Sequence, residues 1–481
     1  MTTVVTPMVE DRLFIDGDWA GPSTSATITV RSASTEEIIG EVPEAAPADV
    51  DRAVDAARRA LPAWSAQGPG ERAASLERFA DELAARAERV AGLVSAQNGM
   101  PIALSQQIEA GFPALLLRYY AGLIREQDAE ERRPGLLGGH TLVRREPVGV
   151  VAGIVPWNYP QTLAFTKIAP ALAAGCTLVL KPSPETVLDS YVVAEAAAAA
   201  GLPAGVLNFV PAGRETGAYL VTHPGVDKVA FTGSTAAGRA IAGECARLLR
   251  PVSLELGGKS AAIVLDDADL GGNAENLAAA CLANNGQTCY LSTRILAPRS
   301  RYDEVVDIVT DLARSLRIGD ALDPATQIGP LATAKHRERV EGYIEQGRAS
   351  GARITTGSGR PDRRGWFVEP TVFSDVDNNA TIAREEIFGP VLTVIPYADI
   401  DDAVRLANDS EYGLGGTVWT TDEDRGVEVA RRVQSGTIGI NHYVPEPSAP
   451  FGGVKASGLG REFGPEGLAA YQQLKSIYLP G

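Results

Sequence analysis

Apolar residues recur three and four positions apart through residues 47–98, in "PADVDRAVDAARRALPAW" and "ERAASLERFADELAARAERVAGLVSAQ". That period predicts two amphipathic helices, each burying one face. From Val148 the pattern changes. Short continuous apolar runs, "VGVVAGIV", "CTLVLKP", "VLNFVP" and "KVAFTG", alternate with helical stretches near 186–200 and 235–250. Strands without a polar face are buried on both sides, and their alternation with helices predicts a parallel sheet covered by helices. A second α/β run starts after about residue 258, with "AAIVLDD", a helix at 271–283, "VLTVIPY", a helix near 400–408, "GTVWT" and "GTIGIN". Thr420 and Glu423 have capping-box spacing at the start of the next helix. The turn-rich segment "EERRPGLLGGHTLVRREP" and the tail "YQQLKSIYLPG" belong to neither run. They are expected to pair with each other or with another subunit.

Composition narrows the function classes. The 481 residues are too many for one core, and 45% hydrophobic with 22% charged residues is a globular composition. A net charge of −16 repels phosphate backbones and anionic membranes, which argues against nucleic-acid and membrane partners. The cysteines, Cys176, Cys245, Cys281 and Cys289, are widely spaced. No disulfide framework and no metal site is expected, and a reducing cytoplasm fits. The N-terminal stretch has no basic region followed by a long apolar one, so no signal peptide is expected.

In open parallel sheets ligands bind beyond the carboxyl ends of the strands, so the loops there hold the candidate chemistry. "FTGSTAAG" follows a strand and opens a helix, placing Gly233, Ser234 and Gly238 where free backbone amides can meet an anion. The glycines can equally serve the turn alone. "LVLKPS" puts Lys181 and Ser183 at another strand end, as ribose contacts or as a solvated end. Glu255 in "VSLELGGKS" stands in a run that reads as buried, where an acid is costly unless paired or functional. It is a general-base candidate, or a structural carboxylate bonded to loop amides. Asn158 in "PWNYP" can donate to an oxyanion or bond its own turn. Cys289 in "GQTC" is a core thiol or a nucleophile. None of the four histidines, His140, His223, His336 and His442, falls in these segments, which disfavours a Cys–His hydrolase and leaves them surface or packing roles.

Taken in order, "PWNYP", "KPS", "FTGST", "LELGGKS", "GQTC", "EEIFGPV" and "PFGGVKASGLGRE" resemble the aldehyde dehydrogenase superfamily, over nearly the whole chain. The resemblance implies an NAD(P)-dependent enzyme of the non-acylating type that oxidises an aldehyde to the acid. It implies an α/β fold with a Rossmann-like cofactor domain (1–128 and 148–257), a second α/β catalytic domain (258–470) and a small β oligomerisation domain (129–147 and 471–481). Dimers or tetramers follow by the same resemblance. Cys289 matches the nucleophile, Glu255 the general base and Asn158 the oxyanion amide. Glu462 and Lys167 match a proton relay behind Glu255. Cofactor contacts are matched by Ile154, Pro156, Trp157, Lys181, Ser183, Gly213, Gly217, Gly233, Ser234, Leu256, Glu386 and Phe388. The aldehyde route is matched by Tyr159, Leu163, Thr166, Thr288, Tyr290, Tyr443 and Phe451.

One position departs from the pattern. Pro184 stands where many NAD-using members carry an acid against the ribose 2′-hydroxyl, with Glu185 next to it. The expectation is that NAD is used and NADP tolerated. The matched aldehyde route is apolar and aromatic, and Thr166 stands where succinate-semialdehyde enzymes tend to carry Arg and betaine-aldehyde enzymes Trp. A medium-sized apolar or aromatic aldehyde is the expected substrate. A semialdehyde dehydrogenase, a CoA-acylating member and a non-enzymatic binding or structural role are the alternatives.

Overall fold

A computed structural model describes residues 7–480. Residues 1–6 and Gly481, included in the expected domain limits and in the signal-peptide reading, lie outside it. The apolar runs form strands 150–154, 177–181, 207–209, 228–232 and 252–255, every residue buried except Val252. Their order across the sheet is 207–209, 177–181, 150–154, 228–232, 252–255, all parallel, closed by an antiparallel strand at 458–459. Numbered along the chain, the parallel strands run 3-2-1-4-5, the doubly wound order of a Rossmann-like sheet. The order reverses between strands 150–154 and 228–232. A crevice therefore opens above that pair, because their outgoing connections leave on opposite faces. Helices Pro69–Ala84, Phe112–Glu126 and Pro160–Ala174 pack one face of the sheet, and Pro47–Ala66, Arg214–Thr222 and Thr235–Arg247 the other.

The second α/β run forms a seven-stranded sheet in the order 353–356, 371–374, 391–397, 294–298, 261–264, 417–419, 439–440. Only 353–356 is antiparallel to its neighbour. The two segments left over by the sequence pair with each other. Strand 472–479 runs antiparallel to 140–147, which also pairs with 130–134. The units are not cleanly cut along the chain, since Gly458–Leu459 returns to the first sheet from within 258–470.

Two local expectations are revised. The second N-terminal helix is two, Pro69–Ala84 and Ala87–Asn98, because Arg86 leaves helical geometry at φ −110°, ψ 7°. Its guanidinium bonds the Glu82 carbonyl at 2.7 Å. The helix after residue 420 is capped by Asp422, which accepts from the Arg425 amide, rather than by Thr420. The Thr420 hydroxyl is drawn away to Asp267 at 2.7 Å. The residues before 47 form short strands at 8–9, 13–15, 18–20, 27–31 and 38–43, for which the pattern offered no prediction.

Candidate active site

A cavity of about 200 Å³ lies at the switch point of the first sheet. Its walls come from the loops after strands 150–154 (Pro156, Trp157, Asn158), 228–232 (Gly233, Ser234) and 252–255 (Leu256, Gly257). The second unit contributes Cys289, Glu386 and Phe388, which the sequence pointed to, and His336 and Arg339, which it did not.

Close backbone approach explains the glycines. A Cβ on Gly233 would sit 2.5 Å from the Phe231 ring, and one on Gly257 would sit 2.7 Å from a Glu386 carboxylate oxygen. A side chain at Gly258 would fall 2.3 Å from the Cys289 carbonyl, so the "LELGG" turn can pass the thiol only as glycine. Ser234 caps helix 235–247, accepting from the Ala237 amide at 3.3 Å. The Gly258 amide donates to Glu386 at 3.0 Å, holding that carboxylate against the glycine turn at the cleft. Burial raises the Glu386 carboxyl to about 7, offset in part by that amide.

Cys289 ends a loop of unusual backbone. Asn284, Asn285 and Gly286 all have positive φ (50°, 61° and 77°), a region tolerated by Asn and Gly. A Cβ at Gly286 would strike the Gly389 carbonyl at 2.1 Å. Side chains then hold the turn. Asn284 donates to the Asn158 carbonyl at 2.9 Å, and Asn285 donates to the Gly99 and Pro330 carbonyls at 2.8 and 2.9 Å. The Gln287 side chain accepts the Ala332 amide at 2.9 Å, and the Asn158 side-chain amide donates to the Gln287 carbonyl at 3.0 Å. This leaves Asn158 a second N–H for a ligand. Burial pushes the Cys289 thiol up, with the Glu386 and Glu255 carboxyls adding to the rise.

Behind the thiol, Glu255 is buried, and its Oε2 has no hydrogen-bond partner. Burial holds its carboxyl well above the usual range, the neighbouring Glu462 raises it further, and Lys167 opposes the rise. Lys167, fully buried, donates to Glu462 at 2.5 Å, to Thr232 at 2.6 Å and to Thr166 at 3.1 Å. The three expected catalytic groups behind Cys289 thus form one buried cluster.

The expected cofactor residues divide into two places. Pro156, Trp157, Gly233, Ser234, Leu256, Glu386 and Phe388 line the cavity. Ile154, Lys181, Ser183, Gly213 and Gly217 gather in a corner outside it: Ile154 is registered with Lys181, and Lys181 donates to the Ala212 carbonyl at 2.7 Å. A Cβ on Gly217 would lie 3.1 Å from the Lys181 stem, so that helix can pass closely only because the residue is small. Burial lowers Lys181 to about 8, while Glu185 opposes the fall. Ser183 donates to Glu185 at 2.5 Å, so a carboxylate is fixed one residue beyond Pro184.

The expected aldehyde residues also fall in two groups. Tyr290 and Tyr443 stack at 4.5 Å, and Phe451 meets Tyr290 edge-on at 6.3 Å. Tyr159 shares a 2.9 Å hydrogen bond with Thr288, beside Cys289, and packs in one cluster with Leu163. Thr166 turns its hydroxyl to the Leu163 carbonyl and the Lys167 ammonium. A larger hollow of about 700 Å³ adjoins Tyr443 and Phe451 on the side of residues 437–451.

His336 is the residue that sequence reasoning placed elsewhere. Its ring packs edge-on between Trp157 (5.0 Å) and Phe388 (5.9 Å), and Nε2 lies 2.6 Å from the Phe388 carbonyl. Burial lowers it to about 4, so the imidazole is neutral at physiological pH. Arg339, one helical turn on, donates to the Glu386 carbonyl at 2.7 Å. Both sit on helix 334–349, started by Thr333, and nothing in their spacing marks them as lining residues.

A doubly wound sheet whose switch-point crevice gathers a thiol, a side-chain amide and, close by, a buried carboxylate belongs to the class of α/β folds that bind nucleotides at that crevice. The Aldehyde dehydrogenase family model matches residues 19–477, and the chain belongs to that family. It is 58% identical over 472 residues to the geranial dehydrogenase of Castellaniella defragrans, covering 98% of each chain. Among solved structures it resembles a Mycobacterium tuberculosis aldehyde dehydrogenase complexed with NAD+ (TM-score 0.97, 49% identity, 99% of each chain). It also resembles a variant of Pseudomonas syringae aldehyde dehydrogenase C complexed with NAD+ and octanal (TM-score 0.94, 38% identity, 97% and 96% covered).

Proposed function

We propose that the protein is an NAD-dependent aldehyde dehydrogenase that oxidises a medium-sized apolar or aromatic aldehyde to its carboxylic acid, tolerating NADP. The observation that carries this reading is Cys289 at the wall of the switch-point crevice, with Asn158 beside it and Glu255 behind. The glycines at 233 and 257, whose Cβ positions are barred by neighbours, leave the open backbone that a dinucleotide needs. Pro156, Trp157, Gly233, Ser234, Leu256, Glu386 and Phe388 would hold it in the crevice, with Lys181, Ser183, Ile154, Gly213 and Gly217 toward its ribose end. When bound, the nicotinamide supplies the hydride acceptor for aldehyde oxidation.

The residues do the rest. The Cys289 sulfur adds to the aldehyde carbon after losing its proton, because the thiolate is the nucleophile. Burial and the neighbouring Glu462 raise the Glu255 carboxyl above its usual range, which makes its carboxylate form a stronger base for that proton. The developing oxyanion is met by the free N–H of Asn158 and the backbone amide of Cys289. After oxidation a thioester remains on Cys289. Glu255 takes a proton from water for its hydrolysis, and passes it toward Glu462 and Lys167.

The stacked Tyr290 and Tyr443, with Phe451, favour apolar substrates, and no cation stands among the route residues to hold a distal carboxylate. The likeness to a protein named for geranial, and to one bound to octanal, supports the same class. It disfavours the semialdehyde and CoA-acylating readings. Residues 129–147 and 471–481 would form the surface for a homodimer or homotetramer: Leu474 and Tyr478 are exposed on that sheet. Among the described residues no helix is long and apolar enough to cross a membrane, and a cytoplasmic location is part of this proposal. An aldehyde panel with NAD+ and NADP+, followed by nicotinamide absorbance, tests the reading. Highest kcat/KM for apolar aldehydes with NAD+ supports it; preference for succinate semialdehyde or betaine aldehyde, or dependence on CoA, overturns it.

A further inference from the structure

A second group of buried polar side chains lies behind the Asn158–Tyr159 turn, and the reaction above does not use it. Helix 160–174 begins without a side-chain cap from Tyr159, and Pro160 has no N–H to offer. Its next two amides are taken by a residue far off in the chain. Glu109, fully buried, accepts the Gln161 amide at 2.7 Å and the Thr162 amide at 3.4 Å. The Gln161 side-chain amide donates in turn to Asp189, which also accepts from Gln97 at 2.9 Å. Gln161 is therefore joined through its backbone to one buried acid and through its side chain to another.

Glu109 sits in a π-helical turn, Gln106–Ala110, a wide turn that tends to occur where function needs it. Ile108 of the same turn packs with Tyr159 and Leu163. Phe112, just beyond, meets Phe463 edge-on at 5.7 Å, and Phe463 touches Phe451 at 5.8 Å. The turn thus borders both groups of the aldehyde route. No lysine or arginine contributes to the balance at Glu109; burial raises it to about 8, and Asp189 to about 6. An acid buried without a cation is costly unless its hydrogen bonds hold something in place.

We infer that Glu109 is a positioning residue: by holding the first amides of helix 160–174, it fixes Asn158 and Tyr159 against Cys289 and sets the width of the aldehyde route. The inference rests on the roles proposed above for Asn158 and Cys289. Its test compares Glu109→Ala with Glu109→Gln in the full chain, since the Gln oxygen can still accept both amides. Glu109→Ala lowers kcat by about 10- to 100-fold, as expected for a small misplacement of reacting groups, and raises the aldehyde KM, while NAD+ affinity is unchanged. Glu109→Gln restores kcat to within about threefold. A merely structural side chain would lower stability in both variants without this split. Wild-type kcat and KM in Glu109→Ala, or no rescue by Gln, overturns the inference. Amide hydrogen exchange on the wild type is the second measurement, needing neither variant to fold nor any turnover. The Gln161 and Thr162 amides should be as protected as the sheet amides, and fast exchange there sinks the latch even if the enzyme is active.

Discussion

The two sides of the reaction centre are built on opposite terms. Around Cys289 the backbone is turned through three left-handed residues, and Asn284, Asn285, Gln287 and Asn158 tie the loop to three other segments. Around Glu255 one carboxylate oxygen is left buried and unpartnered, beside a second carboxyl and a lysine. In the reaction we propose, the first arrangement holds Cys289 and Asn158 in place before substrate arrives. The second leaves an acceptor unsatisfied, so a proton or a water has somewhere to go. On that proposal, rigidity serves attack and the unmet hydrogen bond serves hydrolysis.

That contrast can be broken at several strengths. The largest effect is expected from Cys289→Ala, which should abolish aldehyde-dependent NADH formation, a loss of about 10⁴-fold or more. Retained turnover would remove the nucleophile from the rigid side. Glu255→Gln should separate the two sides: one equivalent of NADH forms, then steady turnover falls by about 10²–10⁴-fold. A missing burst would show that Glu255 also limits attack. Asn158→Ala should cost about 10²–10³ in kcat with NAD+ affinity intact. Asn285→Ala strands the Gly99 and Pro330 carbonyls and the Gly329 amide, and should lower folding stability by about 1–3 kcal/mol. An unchanged urea midpoint would mean the loop is held mainly by its glycine.

The smallest effect is on pH dependence. Glu109 titrates at about 8 and Asp189 at about 6 in the fold, against ordinary values of 4.5 and 3.8. The folded chain therefore binds more protons than the unfolded one between those limits. Stability contributed by the pair is complete below about pH 4 and is lost as pH rises toward 8. Apart from one another, the groups acting on them are the Gln161, Thr162 and Gln97 donors, and no cation offsets the rise. Urea midpoints measured from pH 5 to 8.5 should fall less steeply in Glu109→Gln than in the wild type, and equal slopes would count against a buried titrating acid.

Much of this was legible in the chain. Continuous apolar runs marked the buried strands, since a strand covered on both faces has no polar positions to show. Strand-end segments marked Glu255 and Asn158, and the family resemblance of "GQTC" and "EEIFGPV" marked Cys289 and Glu386, because each is carried by a short local string. His336 and Arg339 were not legible. They reach the crevice from the first two turns of a helix in the other unit, by a path no spacing reveals. Glu109 was equally silent, since its partners lie some fifty residues away. The break in the second N-terminal helix escaped notice because Arg86 keeps the apolar period while its backbone leaves the helix.

The sequence by itself determined the alternation of strands and helices, the family, and the residue types that carry the chemistry. These depend on local periodicity and on short strings read as they stand. Only the tertiary structure decided that strand order reverses at the crevice, that Lys181 and its neighbours lie apart from the cavity, and that Lys167 bridges Glu462 and Thr232. Those facts depend on contacts between residues far apart in the chain. Burial there sets the charge states and hydrogen-bond partners that a sequence cannot display.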